Sequence, residues 1–177
     1  LGLGAGAITK FCHKKLRLCT TAIELNPQVL SVCRAWFKLP PEGAQPKIAI
    51  AAAPLEILHT EWHGTVDALQ VDLYDHEAAA RALDDTRFYA ACRGVLAEGG
   101  VMSVNLFGRD ASFDASAARV ASVFGADQIW HLAPTREGNT ILVAARGVVV
   151  PDRDELNARA ANIEARLGLP ARKWLRL

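Results

Sequence analysis

QIWHLAPTREGNTILVAA occupies residues 128–145. Two apolar runs, 128–133 and 140–145, flank the polar turn Thr135-Arg136-Glu137-Gly138-Asn139. So short a connection returns the second strand beside the first in the opposite direction, which makes an antiparallel hairpin. The chain before it follows another rule. Apolar, β-branched runs at 20–25, 47–52, 66–71 and 101–107 alternate with stretches of helical period at 7–18, 55–62, about 77–97 and about 112–124. A further helix opens at Asn26-Pro27, with Asn26 as N-cap and Pro27 in the first turn, and stops before Pro40-Pro41. Its inner face comprises Val29, Leu30, Cys33, Trp36 and Phe37. Gly99-Gly100 terminates the long helix from 77, and Phe113, Ala117, Val120 and Val123 line the inner face of the next. Repeated strand–helix units predict a mostly parallel sheet with helices on both faces, an α/β three-layer sandwich of Rossmann-like type. The last helix, 152–167, carries the stripe Leu156, Ala160, Ile163 and Leu167, with Asp152 and Glu155 as a capping pair and Gly168 as stop.

Composition narrows the function. The chain has 177 residues, enough for one domain with a real core, and no internal repeat or linker divides it. Twenty Lys and Arg stand against nineteen acids, a net charge of +1, so no broad positive field exists to hold nucleic acid. No apolar stretch approaches the roughly 20 residues of a membrane span, and no secretory signal opens the chain. Cys12, Cys19, Cys33 and Cys92 lack zinc-type spacing and read as reduced, mostly packed thiols. His59 and His63 share a helix face without a third ligand, so no metal is expected. Trp36, Phe37, Trp130 and Trp174 read as packing residues, and Arg166, Arg172, Lys173 and Arg176 as a solvated basic face.

Two places carry chemistry. Gly2, Gly4 and Gly6 form a tight turn before a helix, where glycines let the backbone approach a ligand and the helix start offers free N–H groups. Glu24 follows Gly6 by 18 residues, at the end of the next strand, where a carboxylate can accept hydrogen bonds from both ribose hydroxyls of a nucleoside. Gly2-x-Gly4-x-x-Ala7 also fits a dinucleotide site. The second place is Asp72-Leu73-Tyr74-Asp75, after the fourth predicted strand, at the sheet edge where ligands of open α/β sheets bind. Two acids so spaced can hold a cationic amine and take its proton as it becomes a nucleophile. Asp75 can equally cap the following helix.

The stretches LGLGAG (1–6), AIELNP (22–27), LEIL (55–58), VDALQVDLYD (66–75) and FYAACRGVLAEGGVMSVNLF (88–107) resemble the spermidine synthases, or aminopropyltransferases. The terminal hairpin likewise resembles the class I S-adenosylmethionine-dependent methyltransferase fold to which that family belongs. The resemblance implies that Gly2, Gly4, Gly6 and Glu24 line a pocket for decarboxylated S-adenosylmethionine. It implies that Asp72 and Asp75 bind a polyamine such as putrescine and promote its attack on the aminopropyl carbon. It further implies a cytoplasmic homodimer with no metal, nucleic acid or membrane partner. An N-terminal β-domain and a first strand feeding Gly2 are expected upstream of this stretch. Ala53 stands where the family carries an acid against the adenine amino group, a histidine replaces the proline after Asp75, and the glycine turn lacks the family's acid. A methyltransferase using S-adenosylmethionine itself also fits the fold. A catalytically degenerate nucleoside-binding or oligomerisation module fits Ala53, and a nicotinamide dehydrogenase is disfavoured by the hairpin.

Overall fold

The computed structural model of the protein describes residues 1–44, 47–52, 62–73, 82–107, 111–136 and 138–175. The glycine turn leads into α1 (Ala7–Lys10), which continues as a single π-helical turn over Phe11–Lys15. The helix expected over 7–18 therefore stops three residues early, where Arg17 takes a positive φ. β1 (Thr20–Glu24), α2 (Pro27–Trp36), β2 (Ile48–Ala52) and β3 (Val66–Val71) follow. Then come α3 (Thr86–Val95), β4 (Leu96–Phe107), α4 (Ala111–Phe124), β5 (Ile129–His131) and β6 (Asn139–Ala145). α5 (Arg153–Leu167) and the short α6 (Ala171–Trp174) close the chain.

The strands form two sheets. β1 pairs in parallel with β2, while the second sheet runs β3-β4-β6-β5. β3 and β4 are parallel, and β6 lies antiparallel to both β4 and β5. The hairpin of 128–145 therefore exists as expected, with its second strand inside and its first on the edge. Local chemistry sets several boundaries. The Asn26 side chain accepts the Gln28 amide at 2.9 Å, and Pro27 opens α2. Asp152 accepts the Glu155 amide at 2.8 Å, and Gly168 ends α5 with a φ of +69°.

Two sequence expectations fail, the first for a local reason and the second for a tertiary one. The helix expected over about 77–97 is broken at Asp85, whose carboxylate accepts the Arg87 amide at 2.8 Å and starts a new helix. Residues 77–81 of that expectation, and all but Trp62 of the 55–62 helix, lie outside the described residues. Gly99-Gly100 does not stop a helix either, because β4 already begins at Leu96. Arg146 captures this stretch: its guanidinium donates to the Leu96 carbonyl at 2.7 Å, and its backbone exchanges bonds with Gly99 and Gly100. A Cβ at Gly100 would stand 2.8 Å from the carbonyl oxygens of Ala97 and Val66, so the strand needs glycine there.

The larger core lies between the four-stranded sheet and α3 and α4. Val71, Tyr89, Cys92, Val95, Met102, Val104, Val120 and Leu142 are almost wholly buried in it. Each such side chain contributes about 1.5–3 kcal/mol by leaving water. A smaller cluster of Leu3, Ala22, Leu30, Cys33, Ile48 and Ile50 joins the two-stranded sheet to α2. Trp36 and Phe37 do not complete it. They are 78% and 43% exposed, because the chain turns back after α2 and Leu39 packs on the cluster instead. Trp174 is also exposed, whereas Trp130 is half-buried. The expected stripe of α5 holds: Ala160 is buried, and Leu156, Ile163 and Leu167 are half-buried. No helix among the described residues is long and apolar enough to cross a membrane.

The four cysteines are free thiols in unlike settings. Burial pushes the Cys92 thiol up to about 12, so only about 10⁻⁴ of it is thiolate at pH 8. Cys19 is exposed. Titration of the native protein with a disulfide reagent at pH 8 should therefore modify Cys19 within minutes and leave Cys33 and Cys92 intact until denaturant is added. Prompt labelling of Cys92, read by peptide mass mapping, would contradict the packing of α3 on β4.

Candidate functional site

The glycine turn lies between the C-terminal ends of β1 and β3 and is tied to both. Gly2, Gly4 and Gly6 all have positive φ, at +80°, +49° and +67°. At Gly2 the reason is contact: a Cβ would stand 2.1 Å from the Asp72 carbonyl oxygen. At Gly6 a Cβ would stand 2.5 Å from the Leu39 side chain and 3.3 Å from the Cys33 sulfur. A Cβ at Gly4 would meet nothing within 4 Å, so that residue alone of the three faces open space. Packing thus accounts for two of the expected cofactor glycines, and close approach by a ligand has room at the third.

Glu24 ends β1 half-buried. One carboxylate oxygen accepts the Leu3 amide and the other the Asn26 amide, both at 2.9 Å. The residue expected to hold a ribose therefore also fastens the glycine turn to the strand end and to the start of α2. Each carboxylate oxygen has two acceptor sites, so these bonds leave capacity for two hydroxyl donors.

Asp72 follows β3 directly and is exposed. Its backbone amide donates to the Leu1 carbonyl at 3.0 Å, and its Oδ1 accepts the side-chain amide of Asn105 at 2.9 Å. Asn105 Oδ1 in turn accepts the side-chain amide of Asn139 at 3.1 Å. This chain crosses the ends of β3, β4 and β6, which register places side by side, with Val71 opposite Val104 and Asn105 opposite Ile141. Sequence reasoning missed both asparagines. Their signal was position alone: a polar residue near the C-terminal end of an otherwise apolar strand, and another at the hairpin turn. Ala53 and Asp75, the remaining expected site residues, lie outside the described residues. Glu24 and Asp72 thus flank one three-residue stretch, Leu1–Leu3, from opposite sides.

No family model matches the chain. Among curated proteins, the polyamine aminopropyltransferase of Chromobacterium violaceum is 31% identical over 173 residues, covering 96% of this chain and 64% of that protein. Over nearly its whole length the chain is similar to the polyamine aminopropyltransferases. It spans just under two thirds of that relative's length. Solved structures agree on the architecture. Human methyltransferase-like protein 13, in complex with SAH, superposes with a TM-score of 0.77 at 23% identity, over 96% of this chain and 80% of its own. A probable spermidine synthase from Corynebacterium glutamicum gives 0.70 at 21% identity, over 96% and 63%. These likenesses establish the class I methyltransferase fold for the chain. Among its described residues, no group of three His, Cys, Asp or Glu side chains could hold a metal ion.

Proposed function

We propose that this spermidine synthase-like chain is the catalytic portion of an aminopropyltransferase, moving an aminopropyl group from decarboxylated S-adenosylmethionine to putrescine or a related amine. The observation that carries the reading is the placement of two acidic residues, each at a strand end and each bonded to one glycine turn, Glu24 through its carboxylate and Asp72 through its backbone. Glu24, with the open face at Gly4, suits a nucleoside, and Asp72 suits the amine. The relationship to a polyamine aminopropyltransferase supports the reaction class. The SAH in the human structure supports a donor of S-adenosylmethionine type.

The chemistry asks little beyond placement and one proton transfer. The donor's sulfonium is already a good leaving group. The amine nitrogen forms a bond to the carbon next to sulfur, the carbon–sulfur bond breaks, and its electron pair stays on sulfur as a neutral thioether. An alkylamine is protonated at neutral pH and must lose a proton before or during attack, and Asp72 accepts it. Asn105 occupies Oδ1, and Oδ2 has no bond among the described residues, so Oδ2 is the oxygen assigned to the amine. Fixing donor and amine in line supplies most of the acceleration. The family resemblance assigns Asp75 to the amine and Ala53 to the adenine side; both lie outside the described residues. The homodimer and the cytoplasmic setting enter this reading through the family likeness.

Mass analysis of products tests the proposal. The chain, together with any upstream segment of its gene product, is incubated with putrescine and either decarboxylated or intact S-adenosylmethionine. Aminopropylated amine with the first donor is the expected result. Methylated product from the second would replace the proposal with a methyltransferase. No product from either, with a cooperative melt, would leave the degenerate module.

A further inference from the structure

β4 and β6 each carry an asparagine at the edge of the sheet where Asp72 stands. Val104 and Leu106 are buried, whereas Asn105 between them is half-buried, as is Asn139 at the start of β6. Asn105 lies opposite Ile141 in the β4–β6 register, and Asn139, two residues from Ile141, shares its face. Asp72 follows Val71, which lies opposite Val104, so it comes beside Asn105. A half-buried side-chain amide is unfavourable unless both its donor and its acceptor ends are met.

Here they are met in series. The Asn105 side-chain amide donates to Asp72 Oδ1 at 2.9 Å, and Asn105 Oδ1 accepts the Asn139 side-chain amide at 3.1 Å. Chemistry fixes the direction of this series. An ionised carboxylate only accepts, so the end of Asn105 that meets Asp72 is its NH2 group. Its carbonyl then needs a donor, and Asn139 supplies one. Turning the Asn105 amide over would set oxygen against oxygen at Asp72 and nitrogen against nitrogen at Asn139. Asn139 is itself held through its backbone: its amide donates to Thr135 Oγ1 at 3.2 Å, and its carbonyl accepts the Thr135 amide at 2.8 Å. The hairpin turn thus reaches the Asp72 carboxylate through two side chains, across three strands.

We infer that Asn105 and Asn139 are positioning residues for Asp72. Asn139 fixes which way the Asn105 amide faces, and Asn105 holds the carboxylate with Oδ2 toward the amine. The inference rests on the proposed aminopropyl transfer and gives neither asparagine a contact with substrate. Asp72 is exposed, and an exposed carboxylate otherwise turns among several rotamers. Its backbone is anchored at the Leu1 carbonyl, so side-chain rotation is the freedom left to remove. A bond at Oδ1 removes it without occupying the oxygen assigned to the proton. Misplacing a reacting group by about 1 Å costs about 10²-fold in rate. Two asparagines that merely satisfied strand ends would leave the rate untouched in any variant that folds.

Steady-state kinetics tests it on the chain with any upstream segment of its gene product, varying putrescine and decarboxylated S-adenosylmethionine in turn. Asn105→Leu is near in size and removes both bonds, so kcat should fall by about tenfold to 10²-fold while KM for the donor stays within about twofold. Asn139→Asp inverts the series: a carboxylate there takes the Asn105 NH2 group and turns the Asn105 carbonyl toward Asp72, and the loss should be similar. This second variant, isosteric with the parent, decides the matter if Asn105→Leu does not fold. Asn139→Ala only unlocks Asn105 and should lose less. Because Asn139 acts through Asn105, adding Asn139→Ala to Asn105→Leu should cost nothing further. Parental kcat in folded Asn105→Leu or in Asn139→Asp, beside an active parent, overturns the inference alone. So does full additivity of the two losses. A raised KM for putrescine with kcat intact does too, because it would make Asn105 a contact of the amine. A parent that forms no aminopropylated amine fails at the reaction itself and takes the inference with it.

Discussion

Asp72→Asn should lower aminopropyl transfer by at least about 10²-fold, because a positioned general base contributes roughly 10²–10⁴ to rate. The substitution keeps shape and size. Its amide oxygen can still accept the Asn105 side-chain amide at the 2.9 Å geometry seen for Oδ1, so the bond that orients residue 72 survives. What disappears is the negative oxygen to which the proposed reaction assigns the amine proton. The packing of the residue resides in its backbone, through the Leu1 carbonyl and the Gly2 Cα, so the melting temperature should stay within a few degrees of the parent. Product formation measured by mass spectrometry over a range of putrescine concentrations gives the answer. A variant that turns over at the parental rate would remove Asp72 from the mechanism.

Gly2→Ala should be one of the most damaging glycine substitutions among the described residues. A Cβ there would stand 2.1 Å from the Asp72 carbonyl oxygen and 3.0 Å from its carbon, and both belong to backbone that cannot swing aside. The φ of +80° adds strain for any side chain. Together these cost about 3 kcal/mol or more, which for a chain of this size lowers Tm by about 6–12 °C. Gly4→Ala provides the contrast. Its φ is +49° and a Cβ would meet nothing, so only the left-handed penalty of about 1–2 kcal/mol applies. Equal losses in the two variants, measured by calorimetry, would contradict the contact between the glycine turn and the Asp72 loop.

The glycines show what a pattern of letters can and cannot say. Three glycines before a helix announced a turn that approaches something closely. The sequence reading assigned that approach to a nucleoside at all three. In the structure, Gly2 approaches the Asp72 backbone and Gly6 approaches Leu39 and Cys33, leaving Gly4 against open space. Glu24 behaves similarly, since its place at the strand end was legible while its bonds to the Leu3 and Asn26 amides were not. Both facts depend on chain segments far apart in sequence. Asn105 and Asn139 lie at the same limit: each looks like an ordinary polar residue until β3, β4 and β6 stand side by side.

By itself the sequence determined the alternation of strands and helices, the closing hairpin, the capping of α2 and α5, and the positions of Glu24 and Asp72 at strand ends. Those features follow from local periodicity and from side chains that bond their own backbone neighbours, and such interactions span only a few residues. Only the tertiary structure decided that Leu96–Gly100 extends β4 rather than ending a helix, because Arg146, some fifty residues away, holds its backbone. Only it decided that Leu39 displaces Trp36 and Phe37 from the smaller core. The split of the strands into two sheets joined through Leu1 and Gly2 belongs to the same class. Strand pairing draws on hydrogen-bond partners that no local pattern names, so it emerges only when distant edges meet.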